Sequence, residues 1–217
     1  MILQTFNLTR IYPNSGGVTN VNLEIRRGDF LLLRGANGAG KSTLIRLLSL
    51  LEQPDKGCIM MDGMNSENLR LKDYPRWRRR LGVIPQDLLL MWKRSVYQNV
   101  MLGQRGLGMT RRRAKQISLR ILAQVGLSHK LREPAERLSG GEARRICIAR
   151  ALCGEPFLLL ADEPLGDLDP ETAQGIMKLF EKINSMGTAI LMVTHRGDIL
   201  PSVAYKSLRM ERGRLVG

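Results

Sequence analysis

Eight consecutive residues, Gly35-Ala36-Asn37-Gly38-Ala39-Gly40-Lys41-Ser42, have the types and spacing of a loop that cradles phosphates. Glycines let successive backbone N–H groups turn inward around phosphate oxygens, and the start of a helix adds its positive end. A lysine at the seventh place reaches the β and γ phosphates, and the hydroxyl that follows ligates Mg²⁺. The plainer reading is an accidental glycine turn, and the flanks argue against it. Phe30-Leu31-Leu32-Leu33 is an apolar run of the kind found in a strand buried on both faces, while Leu44, Ile45, Leu47, Leu48 and Leu51 follow at helical spacing. On this reading Gly35, Asn37, Gly38, Gly40, Lys41, Ser42 and Thr43 hold a nucleoside triphosphate.

A second chemical cluster closes the apolar run Phe157-Leu158-Leu159-Leu160-Ala161, which delivers Asp162 and Glu163 at its end. Adjacent strand residues point to opposite faces, so the two carboxylates are expected to do different work. Asp162 would hold the hydration shell of Mg²⁺ and Glu163 would polarise the attacking water, the division that phosphoryl transfer needs. Between the two clusters lies Leu138-Ser139-Gly140-Gly141-Glu142, again glycine-rich and again followed by helical spacing, Ala143 to Leu152.

These residues need a frame. Apolar and polar residues alternate in the first thirty or so positions, split by the turn Pro13-Asn14-Ser15-Gly16-Gly17, which predicts two antiparallel-type strands. Cys58–Met61 and Leu81–Ile84 read as short strands, Phe157–Ala161 and Ala189–Val193 as buried parallel ones. From Asn99 to Leu152 the period turns helical, with Ala114, Ile117, Ile121, Leu122 and Val125 on one face. The expected fold is α/β: an ATP-binding type of core over 1–85 and 157–217, mainly parallel, with an antiparallel N-terminal β-subdomain and a helical insertion over 86–156.

Composition removes several classes. With 217 residues, 43% of them hydrophobic and 25% charged, the chain can bury a core and is neither disordered nor fibrous. No apolar run approaches the eighteen or so residues that span a bilayer, and the N-terminus lacks the charged-then-apolar pattern of a leader. Cys58, Cys147 and Cys153 are odd in number and lack metal-ligand spacing, which suits small core residues in a reducing compartment. The eleven methionines are read as gap-fillers in the core and His129 as a surface or capping residue. The charge is +14, and the segment Arg70 to Arg120 holds +12 of it, fourteen bases against Asp73 and Asp87. Such a block fits an anionic membrane surface or nucleic acid, with a solubilising face as the plain alternative.

Taken together, the phosphate loop, the acid pair and Leu138-Ser139-Gly140-Gly141-Glu142 resemble the ATP-binding subunits of the ABC transporter family, whose signature occupies the last position. The resemblance covers Tyr12 to His195. It implies a Mg-dependent ATPase working as a head-to-tail homodimer, in which Ser139 and Gly141 of one chain meet the γ-phosphate held by the other. It further implies that Tyr12 stacks on adenine and that Gln86 joins the Mg²⁺ site to a membrane subunit. The loop Leu165-Gly166-Asp167-Leu168-Asp169 would touch the opposite subunit, and His195 would reach the γ-phosphate. Four positions depart from the family's pattern: Glu142 for Gln, Asp167 for Asn, Leu165 for Thr or Ser, and Arg196 for Asp. Tyr74 to Ile84 and Lys93 to Val100 resemble the FtsE group of cell-division ATPases, beside the LolD and MacB group of lipoprotein-release and macrolide-export cassettes. The FtsE resemblance implies a four-helix, FtsX-like membrane partner and a place on the cytoplasmic face of the membrane. Trp77, Trp92 and Tyr97 are candidates for an aromatic socket for that partner, with core packing as the equally weighted alternative. A soluble cassette acting on nucleic acid or the ribosome is disfavoured, because such proteins usually carry paired cassettes or long coiled-coil insertions.

Overall fold

The computed structural model describes residues 1–13, 16–104 and 108–216. Asn14 and Ser15 of the predicted turn, and Arg105 of the basic block, lie outside the described residues. In chain order the elements are β1 (Leu3–Tyr12), β2 (Gly16–Val21), β3 (Glu24–Ile25), β4 (Phe30–Arg34), α1 (Lys41–Leu48), β5 (Lys56–Met61) and β6 (Met64–Asn65). There follow α2 (Tyr74–Arg78), β7 (Leu81–Ile84), α3 (Val96–Gln104), α4 (Arg111–Gln124), α5 (Gly140–Leu152) and β8 (Leu158–Asp162). The chain ends with α6 (Pro170–Ser185), β9 (Ala189–Val193), β10 (Lys206–Glu211) and β11 (Arg214–Val216).

Two sheets result. The first is antiparallel, in the order β2-β1-β5-β6 with β3 beside β1. The second runs β11-β10-β4-β9-β8-β7 and is parallel from β10 to β7. Its central strands read as unbroken apolar runs because they face two cores. Phe30, Leu32, Ile190, Met192, Leu159 and Ala161 pack with the helices α3 to α6. Their neighbours Leu31, Leu33, Leu191, Val193, Leu158 and Leu160 pack with α1 and the first sheet. Period-two alternation therefore sorts one hydrophobic run into two layers.

The predicted strands are present at Leu81–Ile84 and Ala189–Val193, and Phe157–Ala161 is shifted by one residue to Leu158–Asp162. The segment from Cys58 is also a strand, but it belongs to the antiparallel sheet, two residues longer at its start. The C-terminal pair β10 and β11 is absent from the sequence reading because Lys206, Arg209, Glu211 and Arg214 hide the apolar period, leaving Met210 as the buried member. The turn between them is structural support for the phosphate loop. Gly213 donates to the Ala39 carbonyl at 3.0 Å, and Thr19 donates to the Gly213 carbonyl at 2.7 Å. Among the described residues no helix is long and apolar enough to cross a membrane.

Candidate functional site

Strand β4 is buried along Phe30–Leu33 and ends against the loop that leads into α1. Gly40, the residue before α1, has φ 102°, and a Cβ there would stand 2.4 Å from the Gly17 carbonyl oxygen. Glycine is required by both the angle and the space. No side chain caps α1 and no acid sits in its first turn, so its leading N–H groups remain available. The Lys41 ammonium donates to the carbonyls of Gly35 at 2.8 Å and Ala36 at 2.9 Å, folding the loop over itself. Tyr12, Asn37, Gly38, Gly40, Lys41, Ser42, Thr43, Gln86, Asp162, Glu163 and His195 all line one cleft of about 500 Å³. Gly35, Ser139 and Gly141, which were also expected at the nucleotide, are not among its lining residues; Gly35 instead meets it through its carbonyl, which accepts from Lys41.

The acid pair departs from the strand geometry expected of it. Asp162 is the last residue of β8, whereas Glu163 has φ 46° in the left-handed region, so the chain turns before the alternation can carry Glu163 to the far face. Both carboxylates therefore enter the same cleft. Each is 8% exposed. Burial raises the Asp162 carboxyl above the usual range against the opposing pull of the Ser42 hydroxyl and Lys41. Its Oδ1 is buried with no hydrogen-bond partner among the described residues, while the carboxyl as a whole lies within reach of the Ser42 hydroxyl. An orphaned hard oxygen next to a hydroxyl fits a divalent cation. Glu163 is held twice from the opposite loop: Oε1 lies 2.9 Å from His195 Nδ1, and Oε2 accepts from the His195 N–H at 3.3 Å. Gln86 follows β7, and its carbonyl, with that of Pro85, accepts from Arg144 of α5 at 3.0 and 3.1 Å.

Sequence reasoning missed four supporting residues, Arg144, Arg46, Glu52 and Arg10. Arg144 is 5% exposed and ties the Gln86 loop to α5; its place two residues after the Gly141-Glu142 pair is the signal that was available. Arg46, on α1, lines the cleft and contacts Thr43 Oγ1 at 3.2 Å, the Tyr12 hydroxyl at 3.4 Å and Glu52 at 2.7 Å. Glu52 accepts from the Tyr12 hydroxyl. The Arg10 guanidinium sits 5.4 Å from the Tyr12 ring centroid, so this ring is fixed on several sides.

Helix α5 begins at Gly140, three residues before the predicted start, because Ser139 and Glu142 close a capping box. The Ser139 hydroxyl accepts from the Glu142 N–H at 3.3 Å, and Glu142 accepts from the Ser139 N–H at 3.0 Å. A Cβ at Gly141 would meet Thr172 Cγ2 at 2.3 Å, so a larger residue here would require the Thr172 side chain to move. The Lys130 ammonium lies 2.7 Å from Glu142. Burial alone would raise the Glu142 carboxyl, yet Lys130 and the Ser139 donors outweigh it and hold the group below its ordinary range.

Around the site, α4 exposes Arg111, Arg112, Arg113, Lys115 and Arg120 while burying Ala114, Ile117, Ile121 and Leu122. Trp77 is no part of a surface socket. It is fully buried, its indole N–H donating to the Leu48 carbonyl at 3.0 Å, because α2 packs it beneath β7 and α1. Trp92 is 46% exposed and Tyr97 half-buried. Cys147 and Cys153 are buried, and burial pushes the Cys153 thiol up to about 12. Cys58 is half-buried and His129 exposed. Met61, Met177, Met192 and Met210 are core residues, whereas Met91 and Met186 are exposed.

A phosphate loop on a central parallel strand, an acid pair on the next but one and a histidine between them define a nucleotide-hydrolysing cassette. The family model for ABC transporters matches residues 18–166, and the chain belongs to that family as an ATP-binding and ATP-hydrolysing protein. It is 39% identical over 216 residues to the cell division ATP-binding protein FtsE of Streptococcus pneumoniae (strain D39), covering 99% of this chain and 94% of that one. It is 36% identical over 217 residues to the lipoprotein-releasing system ATP-binding protein LolD of Aquifex aeolicus, covering 100% and 96%. Among solved structures, the cassette MJ0796, a dimer in a post-hydrolysis state with ADP and Pi, superposes with TM-score 0.86 at 26% identity, covering 100% and 97%.

Proposed function

We propose that the chain is the ATP-driven subunit of a membrane complex of the FtsE kind. It would act through an FtsX-like membrane partner to control cell-wall hydrolysis in cell division. The observation that carries the reading is the convergence of Lys41, Ser42, Asp162, Glu163 and His195 in one cleft. The nearly full-length similarity to FtsE supports its particular form. In this reading residues 1–85 and 157–217 form the ATP-binding part and 86–156 the helical part that bears the signature. The protein sits on the cytoplasmic face of the membrane.

Each of two chains takes up ATP with its phosphates on the loop 35–43 and its base against Tyr12. The two close head to tail, so that Ser139 and Gly141 of one chain meet the γ-phosphate on the other. Ser42, Asp162 and Gln86 would hold Mg²⁺, which would supply charge neutralisation for the phosphoryl group being transferred. Glu163 accepts a hydrogen bond from the attacking water and polarises it, while His195 and Lys41 donate to the charge that develops on the phosphoryl oxygens. Closure and reopening are passed to the membrane partner through the Gln86 loop, which Arg144 fastens to α5. The basic segment 70–120, whose exposed bases include Lys72, Arg76, Lys93 and Arg94 besides those of α4, rests on anionic headgroups at about 1 kcal/mol per well-placed side chain. Nucleic acid is not the partner in this scheme.

The test is affinity purification of tagged Glu163→Gln chain from solubilised native membranes with MgATP, with mass spectrometry of what accompanies it. An FtsX-like four-helix protein is the expected result. A lipoprotein-release or efflux permease would place the chain with LolD or MacB, and ribosomes or DNA without membrane protein would overturn the scheme. Reversing Arg111, Arg112 and Arg113 to Glu is expected to weaken sedimentation with anionic liposomes and leave neutral ones unaffected. Unchanged sedimentation removes the lipid contact.

A further inference from the structure

Arg196, directly after His195, stands where the family's pattern has an acid, and its guanidinium is engaged at both ends. Nε and Nη2 donate to the two carboxylate oxygens of Asp198 at 3.1 and 2.6 Å, a bidentate fork. Nη1 donates to the Leu168 carbonyl at 2.8 Å, across 28 residues of chain. The side chain is 18% exposed. An ion pair with Asp198 alone would be a surface feature of small consequence. The third contact reaches a different loop.

That loop runs from Glu163 to Asp169. It contains two non-glycine residues in the left-handed region, Glu163 at φ 46° and Asp167 at φ 57°. Such residues persist only where their surroundings hold them. The Gly166 N–H closes the first turn onto the Glu163 carbonyl at 3.1 Å, and Asp169 caps α6 through the Thr172 N–H at 2.9 Å. Between these points the Arg196 contact fastens Leu168. The opposing loop starts at His195, which already meets Glu163 at 2.9 Å. The same two loops are thus joined twice, once at the acid–imidazole pair and once five residues further out.

We propose that Arg196 is a positioning residue for ATP hydrolysis, tying the loop 163–169 to the loop 195–198 and so fixing how Glu163 meets His195. The proposal rests on the reading of Glu163 as the group that polarises water. Lysine cannot replace the function fully, because one ammonium cannot hold the Asp198 fork and the Leu168 carbonyl in the same fixed plane.

The experiment compares full-length wild type, Arg196→Met, Arg196→Lys and Glu163→Gln by MgATP turnover and by hydrogen–deuterium exchange of the nucleotide-free chain. Arg196→Met is expected to lower kcat about 10- to 100-fold, the cost of a misplacement near 1 Å, with KM for ATP within about 3-fold. Exchange should quicken in peptides covering 163–169 and 195–198 and stay unchanged over 35–48. Arg196→Lys should recover part of both. Wild-type kcat and exchange in Arg196→Met would overturn the tie, and so would exchange that quickens equally over 35–48, which marks general loosening. Loss of turnover in Glu163→Gln with none in Arg196→Met sinks the tie alone. Wild-type turnover in Glu163→Gln sinks the catalytic reading beneath it, whatever Arg196→Met does.

Discussion

The chain begins two helices at glycine-rich turns and finishes those beginnings in opposite ways. Before α1 the capping position is Gly40, with no side-chain cap and no acid in the first turn. Before α5 it is Ser139, in a reciprocal capping box with Glu142, itself paired with Lys130. The first helix leaves its positive end for an outside anion, and the second spends it internally. A phosphate can therefore seat on α1 in a single chain. At α5 it must compete with Glu142 or approach over the exposed backbone of Ser139 and Gly140. The contrast fits the proposed scheme, in which one helix start binds nucleotide within the chain and the other completes a site across two chains.

Substitutions can break or sharpen that contrast. The largest effect is expected from Lys41→Ala, which should weaken ATP binding to the isolated chain about 100-fold, the worth of one or two hydrogen bonds to a charged group. Titration with a fluorescent ATP analogue reads it, and unchanged affinity would mean that α1 is not the seat of the phosphates. Glu142→Ala should act on stability, lowering the thermal midpoint by several degrees for the about 1–2 kcal/mol of a lost cap, with ATP affinity untouched. Because Glu142 is held below its ordinary range, its contribution is complete above the unfolded glutamate value. It is lost as pH falls through the folded value, so the gap between wild type and Glu142→Ala should close on acidification. Glu142→Gln keeps the box and gives up only the Lys130 pair, which is worth under about 1 kcal/mol. A larger fall there would mean that the charge, rather than the cap, holds α5 shut.

Much of the site was legible before any coordinates, because phosphate chemistry constrains residue type and spacing within short segments. Lys41, Ser42, Asp162 and His195 fall where their motifs put them, in one cleft. The misreadings share a cause, which is that local pattern is silent about backbone exceptions and long-range partners. Strand alternation failed at Glu163 because one residue adopts φ 46°. Trp77 and Trp92 are indistinguishable by type, and only tertiary packing sends the first to the core and the second to the surface. Arg144 and Arg46 passed as members of a basic chain and Arg196 was read only as a departure from the family's pattern, whereas each holds a carbonyl or side chain on a segment next to the site. The strand pair β10 and β11 escaped because its charged residues mask its single buried methionine.

That last pair has a consequence for how the protein comes into being. Among the described residues the strand that carries the phosphate loop, β4, pairs with β9 and β10, more than 150 residues downstream, and the Gly213 turn fastens Ala39. Contacts so distant in sequence form late and slowly. On the ribosome the phosphate loop emerges early, yet its strand gains its sheet partners once β9 and β10 have followed. A chain stalled before Gly213 would carry every residue that lines the cleft and still lack the contact that fastens Ala39.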